Sequence, residues 1–315
     1  MAETAPLFAD VAEAPPGGRA VWLRAADGVR LRAAWWGRAA PRGVVLLFPG
    51  RTEVIEKYGR VVAELVRAGF AVTVIDWRGQ GLSERLIADP ELGYVGDFRD
   101  FQTDVDAWLE AVAQWAPAGA PRFVLAHSMG GCIALRALTR GIAAQRVAFS
   151  APMWGLRAGP WMRAGMVALA RAARLGRRDA RPVPGAGIEF RLWENPFENN
   201  DLTTDPATYA WMQGQLHAHP ELRLGAPTLR WLGAALDETA ALARLPAPAL
   251  PAYCGLGTRE RLVSAGAIAA RMAAWPGGVL ERFDGAEHEL MMEAPATRAR
   301  FMAGVLATFR AAAPA

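Results

Sequence analysis

Two cysteines in 315 residues are too few for a disulfide framework, which excludes a fold held together by cross-links. Cys132 falls in a helical pattern and Cys254 in a strand pattern, which suits a reducing cytoplasm. Lysine is nearly absent: Lys57 stands alone, and arginine carries the remaining basic charge. The net charge of +4 is modest for this length, so the arginine excess reflects composition and gives no basis for nucleic acid binding. Nowhere do about 18 apolar residues run together, the length that a membrane-spanning helix needs. The first residues hold Glu3, Asp10 and Glu13 and no early basic residue, unlike a secretory signal, so a cytoplasmic location is expected. Repeats and long low-complexity tracts are also missing. Histidine is scarce, with four in all, so any histidine-based chemistry has few candidates.

What is present is a chain that is 52% hydrophobic, enough for a large core. Val21–Arg24 and Val29–Trp35 flank an Ala-Ala-Asp27-Gly28 turn, a hairpin signal. Apolar runs at Val44–Phe48, Ala71–Ile75, Arg122–Ala126 and Arg146–Phe149 read as buried strands. Amphipathic stretches at Tyr58–Arg67, Phe98–Trp115 and Cys132–Thr139 lie between them. Alternating strands and helices predict right-handed crossovers and a mostly parallel sheet, opened by antiparallel N-terminal strands. From Pro152 to about Asp237 this rhythm breaks. It resumes with Pro248–Gly255, a helix near Ala265–Ala274, Val279–Phe283 and a last helix from about Ala296. The expected organisation is an α/β core over 1–151 and 238–315, with 152–237 inserted as a helical lid.

The segment from Phe123 to Leu135 reads as strand, sharp turn and helix, with Ser128 at the tip of a nucleophile elbow. The turn strains the serine backbone and needs small neighbours, a demand met by Ala126 and Gly130. The alternative is an ordinary strand-turn-helix. A serine hydroxyl is a poor nucleophile near neutral pH and needs a base with an orienting acid. In open α/β sheets such groups collect at the carboxyl ends of strands. His288, in the loop after Val279–Phe283, is the best base. His127 is locked beside Ser128 on the opposite face of the elbow, and His217 and His219 lie in the insertion, so packing or solvent contact is the plainer reading of all three. Glu260, in the loop after the penultimate strand, is the expected acid, against a surface ion pair with Arg259 or Arg261. Asp284 lies only four residues before the base and is the remaining competitor. The loop after Arg146–Phe149 contains no acid.

Acyl transfer also needs donors for the developing oxyanion. The elbow offers the N–H of Met129, and the loop after the first parallel strand, Phe48-Pro49-Gly50-Arg51, offers that of Arg51. Gly50 would let the backbone approach closely, and Pro49 has no N–H to give. Gly79-Gln80-Gly81 lacks the third glycine and the lysine of a phosphate cradle and is taken as a turn. Between Trp161 and Arg181, plotted as a helix, Arg163, Arg171, Arg174, Arg177 and Arg178 fall on one face, with Trp161, Met162, Leu169 and Leu175 outside it. Two readings stay open: a solvated arginine face, or a surface for an anionic membrane or a phosphate-bearing headgroup.

Four motifs, in order over nearly the whole chain, carry a family resemblance. Pro49-Gly50-Arg51-Thr52-Glu53 with Tyr58 matches an H-G-x-x-E…Y segment, with proline in place of histidine. Asp76-Trp77-Arg78-Gly79-Gln80-Gly81-Leu82-Ser83 matches D-x-R-G-x-G-x-S. Ala126–Gly131 matches the elbow and Glu287-His288-Glu289 the histidine loop. Together they make the chain resemble the serine α/β-hydrolases of the bacterial lysophospholipase and monoacylglycerol lipase group, and Asn200–Asp205, Pro220-Glu221-Leu222 and Gly225–Thr228 resemble the lid of the lysophospholipase branch. The resemblance implies the α/β-hydrolase fold and cleavage of a lipid acyl ester, of lysophospholipid or monoacylglycerol, through Ser128, His288 and Glu260. No metal or organic cofactor is required by that chemistry. The expected partner is a lipid ester; peripheral contact of the arginine-rich segment with the anionic inner membrane surface stays the open alternative to a solvated face. A peptidase that removes N-terminal proline, an acyltransferase with the same triad, and a non-catalytic binding module are the rivals.

Overall fold

The computed structural model describes residues 3–37 and 42–311. The extreme ends of the expected core, 1–2 and 312–315, lie outside the described residues. Nine strands, β1 (Thr4–Ala5), β2 (Arg19–Arg24), β3 (Arg30–Trp36), β4 (Val44–Phe48), β5 (Ala71–Asp76), β6 (Arg122–His127), β7 (Arg146–Ser150), β8 (Ala252–Gly257) and β9 (Gly278–Phe283), form one sheet in the order β1-β2-β3-β5-β4-β6-β7-β8-β9. The expected hairpin is β2 with β3, closed by Gly28 in a left-handed conformation at φ 91°. β3 runs antiparallel to β5, and from β5 across to β9 every pairing is parallel. The penultimate strand starts at Ala252, four residues later than the pattern predicts. Pro248 and Pro251 lack the N–H that a ladder position needs, so the apolar run is longer than the strand.

The helices are α1 (Ala9–Ala12), α2 (Gly59–Arg67), α3 (Asp100–Trp115), α4 (Ser128–Thr139), α5 (Pro160–Leu175), α6 (Pro206–Ala218), α7 (Leu229–Leu242), α8 (Ala265–Ala273) and α9 (Pro295–Arg310). Side chains alternate along each strand, so the sheet buries two faces. Leu46, Phe48, Val124, Ala126, Val147 and Phe149 join α3, α4, α7 and α8 on one face. Val45, Leu47, Phe123, Leu125 and Ala148 join α2 and α9 on the other. Cys132 and Cys254 are both free and buried.

Between β7 and β8 the chain leaves the sheet and forms α5, α6 and α7. Thr228 caps α7 by accepting a 3.2 Å hydrogen bond from Trp231 N, and the helix continues unbroken past residue 237. Trp231, Ala235 and Leu242 insert into the core, and Arg136 of α4 holds Glu238 at 2.7 Å. α5 is the least covered of the three. It buries only Ala170, and Trp161 is 91% and Leu175 88% exposed. The arginine face predicted to run to Arg181 is cut short, because the helix ends at Leu175. Gly176 caps it, Arg177 turns left-handed at φ 53°, and Arg178 N reaches back to Ala173 O at 2.8 Å. Arg163, Arg171 and Arg174 stay on the helix, and Arg177 and Arg178 follow its closing turn.

Candidate active site

At the junction of β6 and α4, Ser128 has φ 48°, the left-handed region that a non-glycine residue adopts only when its surroundings enforce it. Two contacts explain the small neighbours. A Cβ on Gly130 would sit 2.1 Å from Phe48 O and 2.4 Å from Pro49 O, so the elbow touches the loop after β4 backbone to backbone. Ala126 is fully buried beneath the turn. Met129 lies in the first turn of α4, where N–H groups have no partner within the helix.

His288 and Glu260 come together from loops following adjacent strands, β9 and β8, with Nδ1 2.6 Å from Glu260 Oε2. Glu260 Oε1 accepts from the backbone of Leu262 at 2.6 Å and Val263 at 2.9 Å. Burial raises the pKa of the Glu260 carboxyl, but the His288 charge, its hydrogen bond and the two amides outweigh this and hold it below the usual range. Burial lowers that of the imidazole, and the Glu260 carboxylate more than reverses it, so His288 binds its proton more tightly than an ordinary histidine. Arg259 and Arg261 approach Glu287 instead of Glu260. Asp284 accepts from Thr258 Oγ1 at 3.2 Å, away from the imidazole. No hydrogen bond joins Ser128 Oγ to His288 in this structure. Catalytic contacts of this kind commonly tighten only when substrate binds.

The other histidines do structural work. His127 Nδ1 is 2.9 Å from Ser150 O, and its ring lies 4.7 Å from that of His288. Burial drives its pKa down to about 3, so it packs neutral behind the base. His217 contacts Trp193 O at 2.8 Å, and His219 pairs with Asp10 at 2.9 Å.

The loop after β4 is held at nearly every polar atom. Trp77 Nε1 donates to Pro49 O at 2.9 Å, and the Gln80 amide donates to Gly50 O at 3.0 Å and accepts from Thr52 N at 3.1 Å. Gly50 N donates to Glu53 Oε2. Between Pro49 and Thr52 the Arg51 N–H is the one left without an acceptor among the described residues. Gln80, which the sequence suggested was merely part of a turn, is thus a brace for this loop.

Behind the loop lies a buried cluster to which sequence reasoning assigned no role. Lys57 Nζ bridges Glu53 Oε1 and Glu289 Oε1 at 2.7 Å each, and Tyr58 donates to Glu53 Oε2. Burial opposes ionisation of Glu53, but the Lys57 ammonium, with the hydrogen bonds from Lys57 and Tyr58, pulls its pKa down to about 2. Burial pushes the carboxyl of Glu289 up, against the attraction of Lys57. Glu53, His127 and Glu289 are close enough together to hold a metal ion, but the ammonium already lies between the two carboxylates. The cluster couples the loop after β4 to the histidine loop. The histidine loop is also tied to the inserted segment, since His288 N donates to Asp201 O at 3.2 Å and Glu289 N to Leu202 O at 2.8 Å.

A mostly parallel sheet with antiparallel first strands, a strained serine between strand and helix, and a carboxylate–imidazole pair on the last two strand ends define an α/β-hydrolase. The sequence profile of the family described as "Serine aminopeptidase, S33" matches residues 39–295, and the chain belongs to that family. Its relatives include bacterial lysophospholipases. It is similar to lysophospholipase L2 of Escherichia coli K12, 36% identical over 194 residues, which cover 60% of this chain and 55% of that protein. The match thus spans about half the length of that relative. A probable lysophospholipase L2 of Haemophilus influenzae is 27% identical over 257 residues, covering 81% of this chain and 80% of that one. In fold it is similar to a soluble variant of monoglyceride lipase from Saccharomyces cerevisiae, with TM-score 0.71 at 19% identity, covering 93% of this chain and 95% of that one. A carboxyl esterase from Bacillus coagulans gives TM-score 0.74 at 16% identity, covering 95% and 100%.

Proposed function

We propose that the protein is a carboxylic ester hydrolase acting on lysophospholipid or monoacylglycerol. Ser128 attacks the ester carbonyl as its proton passes to His288 Nε2, with Glu260 fixing the imidazole and stabilising its charged form. The N–H groups of Met129 and Arg51 take the charge that develops on the carbonyl oxygen; one such donor is commonly worth about 10²- to 10³-fold in rate. The tetrahedral species collapses as His288 returns the proton to the departing alcohol. This leaves an acyl-serine, which a water activated by the same histidine then hydrolyses. The observation that most supports this reading is the Glu260–His288 pair at 2.6 Å, set on loops beside the strained serine.

The segment 152–237 acts as a lid over the acyl chain, whose burial contributes about 0.8 kcal/mol per methylene. α5 is the part of it that meets an anionic membrane surface: Arg163, Arg171 and Arg174 share the helix with exposed Trp161, Met162, Leu169 and Leu175. Among the described residues no helix is long and apolar enough to cross a membrane, so this contact is peripheral.

The test is fatty acid release from a lysophospholipid and a monoacylglycerol by wild type and Ser128→Ala, with fluorophosphonate labelling of both. Release and labelling that vanish together in the variant are expected. Cleavage of prolyl arylamides with no ester hydrolysis would replace this reading with the aminopeptidase activity in the family's description.

A further inference from the structure

Arg51 is unusual among the enclosed arginines of this protein. Arg32 is sandwiched by Glu56 and Asp76 at 2.7 Å each, Arg78 pairs with Asp104 at 2.7 Å and Asp27 at 2.6 Å, and Arg136 pairs with Glu238. Arg85, without a carboxylate, spends its donors on the carbonyls of Gly79, Gly81, Glu221 and Arg223. The Arg51 guanidinium forms no ion pair among the described residues. Its Nη2 donates to Gly225 O, and its Nε is buried with no acceptor at all. A cation enclosed without a counter-charge is costly, and burial alone pushes its pKa down to about 9. It nevertheless stays protonated near neutrality.

The surroundings are shaped for this group. A Cβ on Gly93 would lie 2.6 Å from Arg51 Nη2, so glycine leaves the guanidinium its space. Trp231 and Phe190 flank it, with ring centroids 5.3 and 5.9 Å away. Gly225, Phe190 and Trp231 all belong to the excursion between β7 and β8. The side chain therefore bridges from the loop beside Ser128 to that excursion.

We propose that the Arg51 guanidinium recognises the phosphate of the substrate, which makes a lysophospholipid, rather than a neutral monoacylglycerol, the preferred substrate of this site. The inference rests on the ester-hydrolase reading above. One residue then serves both ends of the ester: its N–H faces the carbonyl oxygen and its side chain the headgroup. The spacing agrees, since roughly six covalent bonds separate Arg51 N from its guanidinium carbon and about as many separate the acyl carbonyl carbon from phosphorus in a 1-acyl lysophospholipid. A phosphodiester oxygen would satisfy Nε and supply the missing counter-charge in one contact.

The experiment compares kcat and KM of wild type, Arg51→Lys and Arg51→Met on lysophosphatidylglycerol and monoacylglycerol with the same acyl chain, after thermal unfolding has verified each variant's fold. Wild type should favour the phospholipid. Arg51→Met should lower its kcat/KM on lysophosphatidylglycerol about ten- to a hundredfold relative to that on monoacylglycerol, with Arg51→Lys between them. An unchanged ratio, including an equal fall on both substrates, would overturn the inference while leaving the hydrolase reading intact. Hydrolysis of neither substrate by wild type would instead remove that reading. Glycerophosphoglycerol and inorganic phosphate, added at equal concentration to the monoacylglycerol reaction, separate the two sources of phosphate. Inhibition of wild type by the former, lost in Arg51→Met, supports headgroup recognition. Inhibition by inorganic phosphate alone would mean a free-anion site and overturn it.

Discussion

Glu260 has one methylene more than aspartate, and its hydrogen bonds show how the extra length is accommodated. Oε1 folds back onto the amides of its own loop at Leu262 and Val263, which fixes Oε2 against His288 Nδ1. Glu260→Gln keeps the shape but removes the charge and disturbs the imidazole tautomer, so kcat should fall by about 10²- to 10⁴-fold. The pH profile supplies a second readout. In the proposed mechanism His288 must be neutral to act as a base, so activity should be lost as pH falls through its pKa, with the adjacent carboxylate placing that acidic limb above the ordinary histidine value. In Glu260→Gln the limb should move to lower pH; a limb that stays in place would show that another group sets it. Gly130→Ala tests the elbow, because its methyl would collide with Phe48 O and Pro49 O. Ester hydrolysis by the folded variant should drop at least about 100-fold through displacement of the oxyanion loop.

Between elements, the decisive contact is the one made by the only lysine. Lys57, in the short 3₁₀ turn Ile55–Tyr58, holds Glu53 of the β4 loop to Glu289 of the histidine loop, which lies 232 residues beyond the lysine in sequence. Lys57→Met would leave two buried carboxylates facing each other, and a loss of about 3–5 kcal/mol is expected in urea unfolding at neutral pH. Lowering the pH should protonate Glu289 first and recover part of that loss, so a ΔΔG that does not depend on pH would rule out the charge-pair account. A hint was readable in advance: Glu53 and Lys57 are four residues apart, and a lone lysine invites a reason. The partner Glu289 was not readable, since nothing local says that the residue after the base will face the lysine. Arg51 shows the same division. The backbone role proposed for it follows from its place after the first parallel strand, whereas its side chain, lacking a counter-ion, could be found only with Gly225 and Trp231 brought beside it.

For the molecule as a whole, the exposed face of α5 is the proposed contact with an anionic membrane surface. Among the described residues four of the large apolar side chains left in solvent, Trp161, Met162, Leu169 and Leu175, lie on this one helix with three arginines. Arg163/Arg171/Arg174→Glu should abolish sedimentation with anionic vesicles while Ser128 is still labelled by fluorophosphonate. Binding of this variant equal to that of wild type would show that α5 is a solvated lid helix.

Sequence alone determined the alternation of strands and helices from the first hairpin to Phe149 and again from the penultimate strand onward, the antiparallel start of the sheet, and the loops on which Ser128, Glu260 and His288 stand. These follow from short-range physics: apolar period, turn chemistry and the small residues that a strained elbow demands. It also marked a break in rhythm after Pro152, but not where each helix there would stop, since Gly176 and the left-handed Arg177 end α5 against an uninterrupted helical pattern. Only the tertiary structure decided which carboxylate reaches the imidazole, that Asp284 turns away, and that Lys57 joins two distant loops. Those outcomes depend on parallel strands bringing residues far apart in sequence to one edge of the sheet, where burial removes competing water and lets charge and hydrogen-bond geometry select the partner.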